Sequence, residues 1–288
     1  MSAEHSHDVR DVSDTRLVVA VALNVLLTFA QILGGVVSGS LALIADALHN
    51  FSDAASLGLA LYARRVGQRP ADKLATFGYE RAEVVAALVN LTTLIVVGVY
   101  LLIEGFNRLI DPQPIEGWTV IWVAGIALVV DVVTAFIVYA GSKNNLNMKA
   151  AFLHNVSDAL ASVGVVASGA LILLFDLVIS DLVVTAAIAG YVIYQGMSLL
   201  PKTVRLLMGV VPDDLIFDEV VQALGELPGV AQVHHVHIWS LGEHRRALEA
   251  HLVPVDETLE AFDQVKRAAR EMLAEEFSIE HATLEPCL

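Results

Sequence analysis

The sequence predicts a membrane protein in two parts, an all-α transmembrane domain of six helices and a small C-terminal α+β domain. Of its 288 residues, 56% are hydrophobic and only 17% are charged. The mean hydropathy of +0.65 is well above that of a water-soluble domain. Six apolar runs each approach the roughly 20 residues with which a helix crosses a bilayer. The last part of the chain instead alternates between strand-like and helix-like patterns.

The six apolar runs define the domain organisation. They are separated by short breaks rich in Gly, Pro, Asp and Asn, which are typical of turns. We expect residues 1–16 to form an N-terminal tail, residues 17–208 the transmembrane domain, and residues 209–288 a separate cytoplasmic domain. The predicted spans lie at 17–37, 41–63, 83–103, 118–140, 150–175 and 177–199.

The basic residues predict how the spans are oriented. Eleven of the twelve lysines and arginines before residue 209 fall at one set of span ends, and only Arg108 falls near the other. By the positive-inside rule the first set is cytoplasmic, and both termini are cytoplasmic because the number of spans is even. We expect the chain to lie in the lipid bilayer of a prokaryotic inner (cytoplasmic) membrane. The eleven residues are Arg10, Arg16, Arg64, Arg65, Arg69, Lys73, Arg81, Lys143, Lys149, Lys202 and Arg205.

The segment after Met208 has the pattern of a small α+β domain in the order αββαβ, which suits a sheet with two helices on one face. From Gly209 onward it holds 16 acidic and 5 basic residues, a net charge of −11. Neither part of the chain offers a basic patch, which argues against nucleic acid as a partner. The single cysteine, Cys287, cannot form an internal disulfide and is compatible with a reducing cytoplasm. The elements are predicted at 214–226, 230–240, 246–254, 257–276 and 278–284.

One five-residue motif occurs twice within the apolar runs. His49-Asn-Phe-Ser-Asp53 lies in the second run and His154-Asn-Val-Ser-Asp158 in the fifth. Residues at i and i+4 share a helix face, so each motif presents one imidazole and one carboxylate together. An Asp at the centre of a spanning helix costs about 2.5 to 3.5 kcal/mol, so it is retained mainly where it pairs, binds an ion or lines a polar path. The motifs therefore predict four metal ligands, although a histidine within a span can also serve only as a hydrogen-bonding residue.

The two runs that carry the motif are three spans apart, so they are expected to run in opposite directions. This arrangement is compatible with an inverted repeat of two three-helix halves, with the site between them. His49 lies near the middle of its run, whereas His154 lies close to the start of its own. Either the fifth helix begins before residue 150, or His154 faces a water-filled vestibule.

Other polar residues within the spans allow more than one interpretation. Asp46, three residues before His49, is either a partner of an imidazole or a residue at a helix end. Asp131 is either a proton-handling group or a hydrogen-bonded structural carboxyl. Three further residues are expected to form hydrogen bonds between helices: Asn24, Gln31 and Asn90.

The C-terminal domain contains six histidines. His237, His251 and His281 each fall in a different predicted strand, so they can converge across the sheet and bind metal together with a carboxylate such as Glu285. The remaining three are expected to be solvated surface residues: His234, His235 and His244.

The four intramembrane residues predict a particular chemistry. Two imidazoles and two carboxylates suit tetrahedral Zn2+, with Cd2+, Co2+ and Ni2+ as alternatives. Metal binds neutral imidazole and ionised carboxylate, so protons compete with it for the same groups. Exchange of metal for protons then follows if the site faces each side of the membrane in turn.

Two other classes of function could use the same cluster. An intramembrane metalloenzyme could activate water with these residues, but all four are needed to close the tetrahedron and no obvious nucleophile or base accompanies them. A metal-gated sensor would make the C-terminal domain the working part. We expect a transporter and not an enzyme, because the exchange of metal for protons needs no covalent step.

These residues resemble the signature of the cation diffusion facilitator family. The resemblance rests on the two His-x3-Asp motifs, on Gly39-Ser-Leu-Ala-Leu-Ile-Ala-Asp46 before the first motif, on Phe77-Gly-Tyr-Glu-Arg81 before the third span, and on the αββαβ tail. It covers nearly the whole chain. It implies a homodimer that exports divalent metal from the cytoplasm in exchange for protons.

The resemblance also implies roles for parts of the chain. The residues His49, Asp53, His154 and Asp158 match the tetrahedral transport site, and this set resembles that of the zinc-selective members. The tail resembles a ferredoxin-like metallochaperone fold that binds metal as a regulatory ligand and helps the protomers close. The sequence departs from some relatives, because the loop Pro70–Gly78 contains no histidine and residues 141–149 replace a long histidine-rich loop. At the N-terminus, His5, His7 and Asp8 could collect metal, but a polar tail is the expected description.

Overall fold

The structure is a computed structural model that describes residues 25–142, 146–242, 245–256 and 258–287. The described residues form two compact units. One comprises the residues up to Gly58 together with Asn90–Ser198, and the other comprises Leu59–Val89 together with Leu199–Leu288. Several residues singled out above lie outside the described ranges: His5, His7, Asp8, Arg10, Arg16, Asn24, Lys143 and His244.

Each predicted apolar run corresponds to a helix in the described chain. The breaks between the helices carry the residues expected there, such as Asp111 and Pro112 between the third and fourth. The helices are α1 (Val25–Ser38 in its described part), α2 (Leu41–Gly67), α3 (Arg81–Ile110), α4 (Gly117–Ser142), α5 (Leu146–Phe175) and α6 (Ile179–Leu207).

Four of the described helices are long and apolar enough to cross a membrane, namely α3, α4, α5 and α6. Helix α2 has 27 residues, but its apolar stretch is interrupted by Asp46, His49 and Asp53, which lower its mean hydropathy. Helix α1 is described only over Val25–Ser38, which is shorter than a bilayer requires. The chain thus has a helical membrane domain, and the count of six spans stays a prediction.

Helix α5 begins earlier than its apolar run. It is described from Leu146, four residues before the predicted boundary at 150. Its first turn contains the polar residues Asn147 and Lys149, so hydrophobicity alone does not reveal it. The early start places His154 two turns into the helix, in agreement with the first of the two explanations for its position.

Helices α4 and α5 approach each other closely at a pair of glycines. A Cβ atom at Gly117 would lie 2.8 Å from the carbonyl oxygen of Gly169, and one at Gly169 would lie 3.2 Å from the carbonyl oxygen of Gly117. Because each glycine has only a hydrogen atom as its side chain, the backbones of α4 and α5 can come into contact here. Close approach of this kind supplies the van der Waals packing that holds helices together in a bilayer, where the hydrophobic effect between helices is absent.

The spanning helices keep a narrow buried core and a broad apolar exterior. In each of the four spans about one third of the hydrophobic window is buried. Leu43, Val120 and Val165 are completely enclosed, whereas Phe136 and Leu174 are 76% and 70% exposed. Such large exposed apolar side chains would be unfavourable in water, and they fit a surface covered by lipid.

The loop between α2 and α3 is organised around Asp72. Its carboxylate accepts hydrogen bonds from the N–H groups of Leu74 and Ala75, both at 2.8 Å, and from the Tyr79 hydroxyl at 2.7 Å. The Ala75 N–H, the Tyr79 hydroxyl and the Leu74 N–H hold the pKa of Asp72 below its ordinary value. The loop is thus closed by its own side chains.

The C-terminal part has the predicted order of helix, strand, strand, helix and strand. Strand β1 pairs antiparallel with β2, and β2 pairs parallel with β3, so β2 is the central strand. Leu224, Leu248, Leu252 and Leu273 are fully buried between this sheet and its helices. The elements are α7 (Phe217–Gly225), β1 (Val230–Ser240), β2 (Arg246–Pro254), α8 (Leu259–Phe277) and β3 (His281–Pro286).

Strand β3 begins at His281, three residues later than predicted, because the chain first closes α8. Ser278 adopts a left-handed backbone with φ of 55°, and the Ile279 N–H donates to the Leu273 carbonyl at 2.9 Å. Ile279 is buried, so an apolar contact accompanies the cap. At its other end α8 is capped by Thr258, whose hydroxyl accepts from the Ala261 N–H.

The glycine contact between α4 and α5 generates a stability prediction. Gly117→Ala should lower the melting temperature of the purified protein in detergent, because its new Cβ would lie 2.8 Å from a backbone oxygen that cannot rotate away. The expected loss is about 1 to 3 kcal/mol, the usual cost of overpacking. Gly125→Ala is the matched control on the same helix, since nothing lies within 4 Å of its added Cβ. Equal melting temperatures for the two variants would contradict the close approach.

Candidate metal site

Helices α2 and α5 bring the four predicted intramembrane ligands together. His49 and Asp53 lie one turn apart on α2, and His154 and Asp158 lie one turn apart on α5. Across the two helices, His49 faces Asp158 and His154 faces Asp53. This crossed pairing is the one expected for antiparallel helices, since the leading residue of each motif then meets the trailing residue of the other.

The four His to Asp separations suit a tetrahedral ion, and His49, Asp53 and Asp158 each offer a ligand atom within 4.8 Å of the other two. His49 Nε2 lies 3.7 Å from Asp53 Oδ2 and 3.4 Å from Asp158 Oδ1. His154 Nε2 lies 3.3 Å from Asp53 Oδ2 and 3.6 Å from Asp158 Oδ2. In a tetrahedron with bonds of about 2.0 to 2.2 Å, neighbouring ligand atoms are about 3.3 to 3.6 Å apart. Asp158 presents a different oxygen to each histidine, so a small rotation of its carboxylate would let one oxygen serve both.

The site is buried on one side and accessible on the other. The side chains of His49 and Asp158 are 4% and 9% exposed, whereas those of Asp53 and His154 are 33% and 42% exposed. Asp53 follows His49 along α2, and His154 precedes Asp158 along the antiparallel α5. The exposed pair therefore lies toward the C-terminal end of α2 and the N-terminal end of α5. An accessible His154 is also compatible with a vestibule, the second explanation for its position.

Three atoms of the cluster are buried and have no hydrogen-bond partner among the described residues: His49 Nδ1, Asp53 Oδ2 and Asp158 Oδ1. Buried polar atoms in proteins are nearly always paired. Unpaired carboxylate oxygens that face two imidazoles are typical of a site that binds a cation. The two carboxylates also supply two negative charges, which balance the charge of a divalent ion.

A buried hydrogen-bonded network lies among the helices that carry the ligands. Asp46 accepts hydrogen bonds from Gln31 at 2.6 Å and from the Ser162 hydroxyl at 3.4 Å. The same hydroxyl lies 3.0 Å from Asp131 Oδ2, and Asn50 donates to Gln31 at 3.3 Å. Gln31 thus bonds between helices as predicted. The hydrogen-bond partners of Asp46 are an amide and a hydroxyl rather than an imidazole, and Asp131 is a hydrogen-bonded carboxyl.

Tyr191 on α6 is a neighbour of the site that the sequence did not indicate. Its ring meets the ring of His49 edge to face, with centroids 6.2 Å apart and planes at 85°. The His49 and His154 rings are 6.3 Å apart at 73°. Tyr191 lies in an ordinary apolar run, so its pattern predicted only a span. Which ring it contacts depends on how α6 packs, and no local signal carries that information.

Four histidines gather on β1 and β2 of the C-terminal part. His234 pairs across the strands with His251, and the His235 ring lies 4.7 Å from that of His251 and 4.8 Å from that of His237. A β-bulge between His234 and His237, with φ of 51° at His235, re-aims the His235 side chain. His251 Nε2 lies 3.7 Å from Glu285 Oε2. His234 and His235, expected to be simple surface residues, are thus members of a cluster.

His281 does not join this cluster. Its partner on β2 is Ala247, four residues from His251, which corresponds to about 13 Å along a strand. Its ring lies instead against Phe77 in the loop after α2, with centroids 5.3 Å apart at 88°. The predicted convergence of His237, His251 and His281 is therefore not found. Assigning three residues to three strands leaves the register open, and the register decides which side chains meet.

Comparison with known proteins identifies the class of protein. Residues 17–208 match the family profile of the cation efflux transmembrane domain, and residues 212–287 match that of the cation efflux protein, cytoplasmic domain. The chain therefore belongs to the cation efflux family, whose members are metal transporters rather than enzymes. This is the family that the sequence motifs resemble.

Individual relatives are similar over nearly their whole length. The metal cation efflux system protein CzcD of Cupriavidus metallidurans is 35% identical over 100% of this chain and 92% of its own. The zinc transporter ZitB of Escherichia coli is 31% identical over 100% of this chain and 94% of its own. The cadmium, cobalt and zinc/H(+)-K(+) antiporter of Bacillus subtilis is 31% identical over 88% of this chain and 83% of its own. A solved metal-bound C-terminal domain of CzcD is 31% identical over 26% of this chain and 100% of its own, with a TM-score of 0.24.

The tail geometry generates a prediction that separates two histidines. In a protein that carries Asp53→Ala and Asp158→Ala to remove the intramembrane ligands, His251→Ala should weaken zinc binding by at least about tenfold, the cost seen even for outer-sphere partners of a metal. His281→Ala should leave zinc binding unchanged, because His281 contacts Phe77 instead of the cluster. Zinc titration of the full-length protein measures both. A loss of affinity with His281→Ala would show that β3 contributes a ligand.

Proposed function

We propose that this protein exports Zn2+ from the cytoplasm in exchange for protons, and that His49, Asp53, His154 and Asp158 form its transport site. The observation that carries the proposal is the crossed arrangement of these four side chains between α2 and α5, with His to Asp separations of 3.3 to 3.7 Å. Membership of the cation efflux family supports a transport role for this site.

The membrane arrangement that we propose has six spans, with both termini in the cytoplasm. In this arrangement α1 and α2 cross the bilayer in addition to the four helices that are long and apolar enough by themselves. Helix α2 tolerates its polar residues because they face Gln31 on α1, Ser162 on α5 and the ligands on α5 rather than lipid. A polar group in the membrane is retained when it is paired within the bundle in this way.

Zinc is the substrate that the ligand set favours. Two imidazole nitrogens and two carboxylate oxygens in a tetrahedron match the preferred number and type of ligands of Zn2+. Cd2+, Co2+ and Ni2+ are further candidates, because borderline nitrogen and oxygen ligands also bind them. Two of the relatives are named for zinc transport or for zinc together with cadmium and cobalt, which supports the same range.

Proton coupling follows from the chemistry of the four groups. Each binds either a proton or the metal, so a higher proton concentration on one side favours metal release there. The two histidines are suited to this exchange, since imidazole changes its protonation near neutral pH. No covalent step is required, and the exchange needs only that the site be exposed to each side in turn.

The exposure of the ligands supports loading from the cytoplasm. The accessible pair, Asp53 and His154, lies toward the ends of α2 and α5 that carry Arg64, Arg65 and Lys149. By the positive-inside rule those ends are cytoplasmic. The described conformation would then be the one that accepts metal from the cytoplasm, and reorientation of the helices would expose the buried pair to the other side.

We further propose that the chain forms a homodimer and that the histidine cluster of the C-terminal domain binds metal as a regulator. The profile match to the cytoplasmic domain of this family supports the domain assignment at 209–288. His237 and His251 remain candidate ligands, together with their neighbours His234 and His235.

The transport site can be tested with variants that keep side-chain size. Asp53→Asn and Asp158→Asn should each reduce zinc uptake into sealed proteoliposomes by at least about tenfold, because each removes one ligand and one of the two negative charges that balance the ion. Asp176→Asn is the matched control, since it removes the same charge from an exposed position between α5 and α6. Near-normal zinc flux in either site variant would contradict the four-ligand assignment.

Proton coupling can be tested in the same vesicles with a pH-sensitive dye. A proton gradient directed opposite to zinc movement should accelerate zinc flux, and zinc entry should alkalinise the receiving compartment, because protons taken from that compartment replace the released metal at the site. Vesicles containing Asp158→Asn protein should show neither effect. Zinc flux that is indifferent to an imposed gradient would indicate uniport instead of exchange.

A further inference from the structure

The N-terminal end of α2 is held by a carboxylate that belongs to α6. Asp181 is completely buried, and its Oδ2 accepts hydrogen bonds from the N–H groups of Leu41 at 2.8 Å and Ala42 at 3.2 Å. Its Oδ1 accepts a hydrogen bond from the Ser40 hydroxyl at 2.5 Å. The carboxylate thus makes three hydrogen bonds to a segment 139 to 141 positions away in the chain.

The cap on α2 is divided between two helices. The Ser40 hydroxyl oxygen accepts from the Leu43 N–H at 3.0 Å, as an ordinary N-cap residue does. Asp181 accepts hydrogen bonds from the N–H groups of Leu41 and Ala42, which have no acceptor within the helix because they lie in its first turn. A side chain next to the turn could have satisfied these groups without burying a charge from α6. The contact with Asp181 therefore adds a tether between α2 and α6 to the local cap.

The turn before α2 is fixed at two further points. The Gly39 carbonyl accepts from Arg108 of α3 at 2.5 Å, and the Ser38 carbonyl accepts from the Glu116 N–H just before α4 at 2.9 Å. Gly39 has φ of 77°, and a Cβ there would lie 2.6 Å from the Pro114 carbonyl oxygen. The turn is thus held by Arg108, by Glu116 and by Asp181. Of these three contacts, the one with Asp181 is made to the first residues of α2 itself.

A helix transmits the position of its end to its side chains. His49 and Asp53 follow Leu41 by 8 and 12 residues, or about 12 and 18 Å along an α-helix. In a well-formed metal site the distances from metal to ligand lie within about 0.2 Å of their standard values. An axial shift of α2 by even a fraction of a turn would therefore move two of the four ligands out of register with the two on α5.

We propose that Asp181 is a positioning residue for metal transport. By tethering the first turn of α2 to α6, it sets the height of His49 and Asp53 relative to His154 and Asp158. Asp181 acts through α2 and does not contact the metal. The inference rests on the proposed function, because it takes these four residues as the transport site.

The first test is Asp181→Asn, assayed for zinc flux in proteoliposomes at several zinc concentrations. The amide keeps the size of the side chain but removes its negative charge and replaces one acceptor oxygen with a donor, so its hydrogen bonds to the end of α2 lose the strength that an ionised acceptor gives them. We expect the zinc KM to rise about tenfold, within the range reported for outer partners of metal sites. A purely structural role would instead lower the maximal rate, through loss of folded protein, and leave the KM of the remaining protein unchanged.

The second test separates the tether from the cap. In Ser40→Asp/Asp181→Asn, the new carboxylate at position 40 can cap α2 from its own chain segment, but the link to α6 stays weakened. We expect the thermal stability to recover and the zinc KM to remain high. A KM restored to the wild-type value would show that capping alone is sufficient, and it would overturn the proposal.

Two further variants serve as a control and as an alternative to Asp181→Asn. Asp176→Asn removes a charge from the exposed segment just before α6 and should behave as wild type. If Asp181→Asn cannot be reconstituted, Asp181→Glu keeps the charge but lengthens the side chain by one methylene. It should raise the KM severalfold, and a wild-type KM would again overturn the inference. A wild-type protein that does not move zinc would instead contradict the proposed function and not the role of Asp181.

Discussion

The structure of the membrane domain depends on one constraint, which is that charged and polar side chains within apolar helices must satisfy one another. Asp53 and Asp158 would each be strongly unfavourable alone in a hydrocarbon environment. They are placed instead against the imidazoles of the opposite helix, at 3.3 and 3.4 Å. This requirement selects the relative orientation of α2 and α5, because both His to Asp contacts form across the two helices when they run antiparallel.

The other polar residues of the bundle follow from the same constraint. Asp46 and Asp131 share the hydroxyl of Ser162, and Gln31 completes the set around Asp46. Asp181 finds its donors at the first two N–H groups of α2, which have no acceptor within the helix. Each of these carboxylates therefore links two helices, so these polar groups act as specific contacts in a bundle whose residues are mostly apolar. The glycine contact between α4 and α5 supplies close backbone packing in addition to these polar contacts.

The C-terminal part shows how strand register limits inference from sequence. Its five elements and their order are evident from periodicity, and the bounds of β1 and β2 agree with the prediction. The histidines are nevertheless arranged differently from the expectation. The bulge at His235 places a third ring against His251, while the parallel pairing of β3 carries His281 toward Phe77. A single residue of shift or bulge changes which side chains meet, and the local sequence does not encode that shift.

The sequence by itself determined the family, the helical membrane domain, the order of the tail elements and the four candidate ligands. It could do so because hydrophobic run length and the i, i+4 spacing of His and Asp are local properties. Tertiary structure alone decided that Tyr191 meets His49, that Ser162 joins Asp46 to Asp131, and that Asp181 caps α2 from 140 residues away. Those contacts depend on how the helices pack and rotate against each other. The residues next to Tyr191, Ser162 and Asp181 in the sequence do not indicate which distant residue each of them contacts.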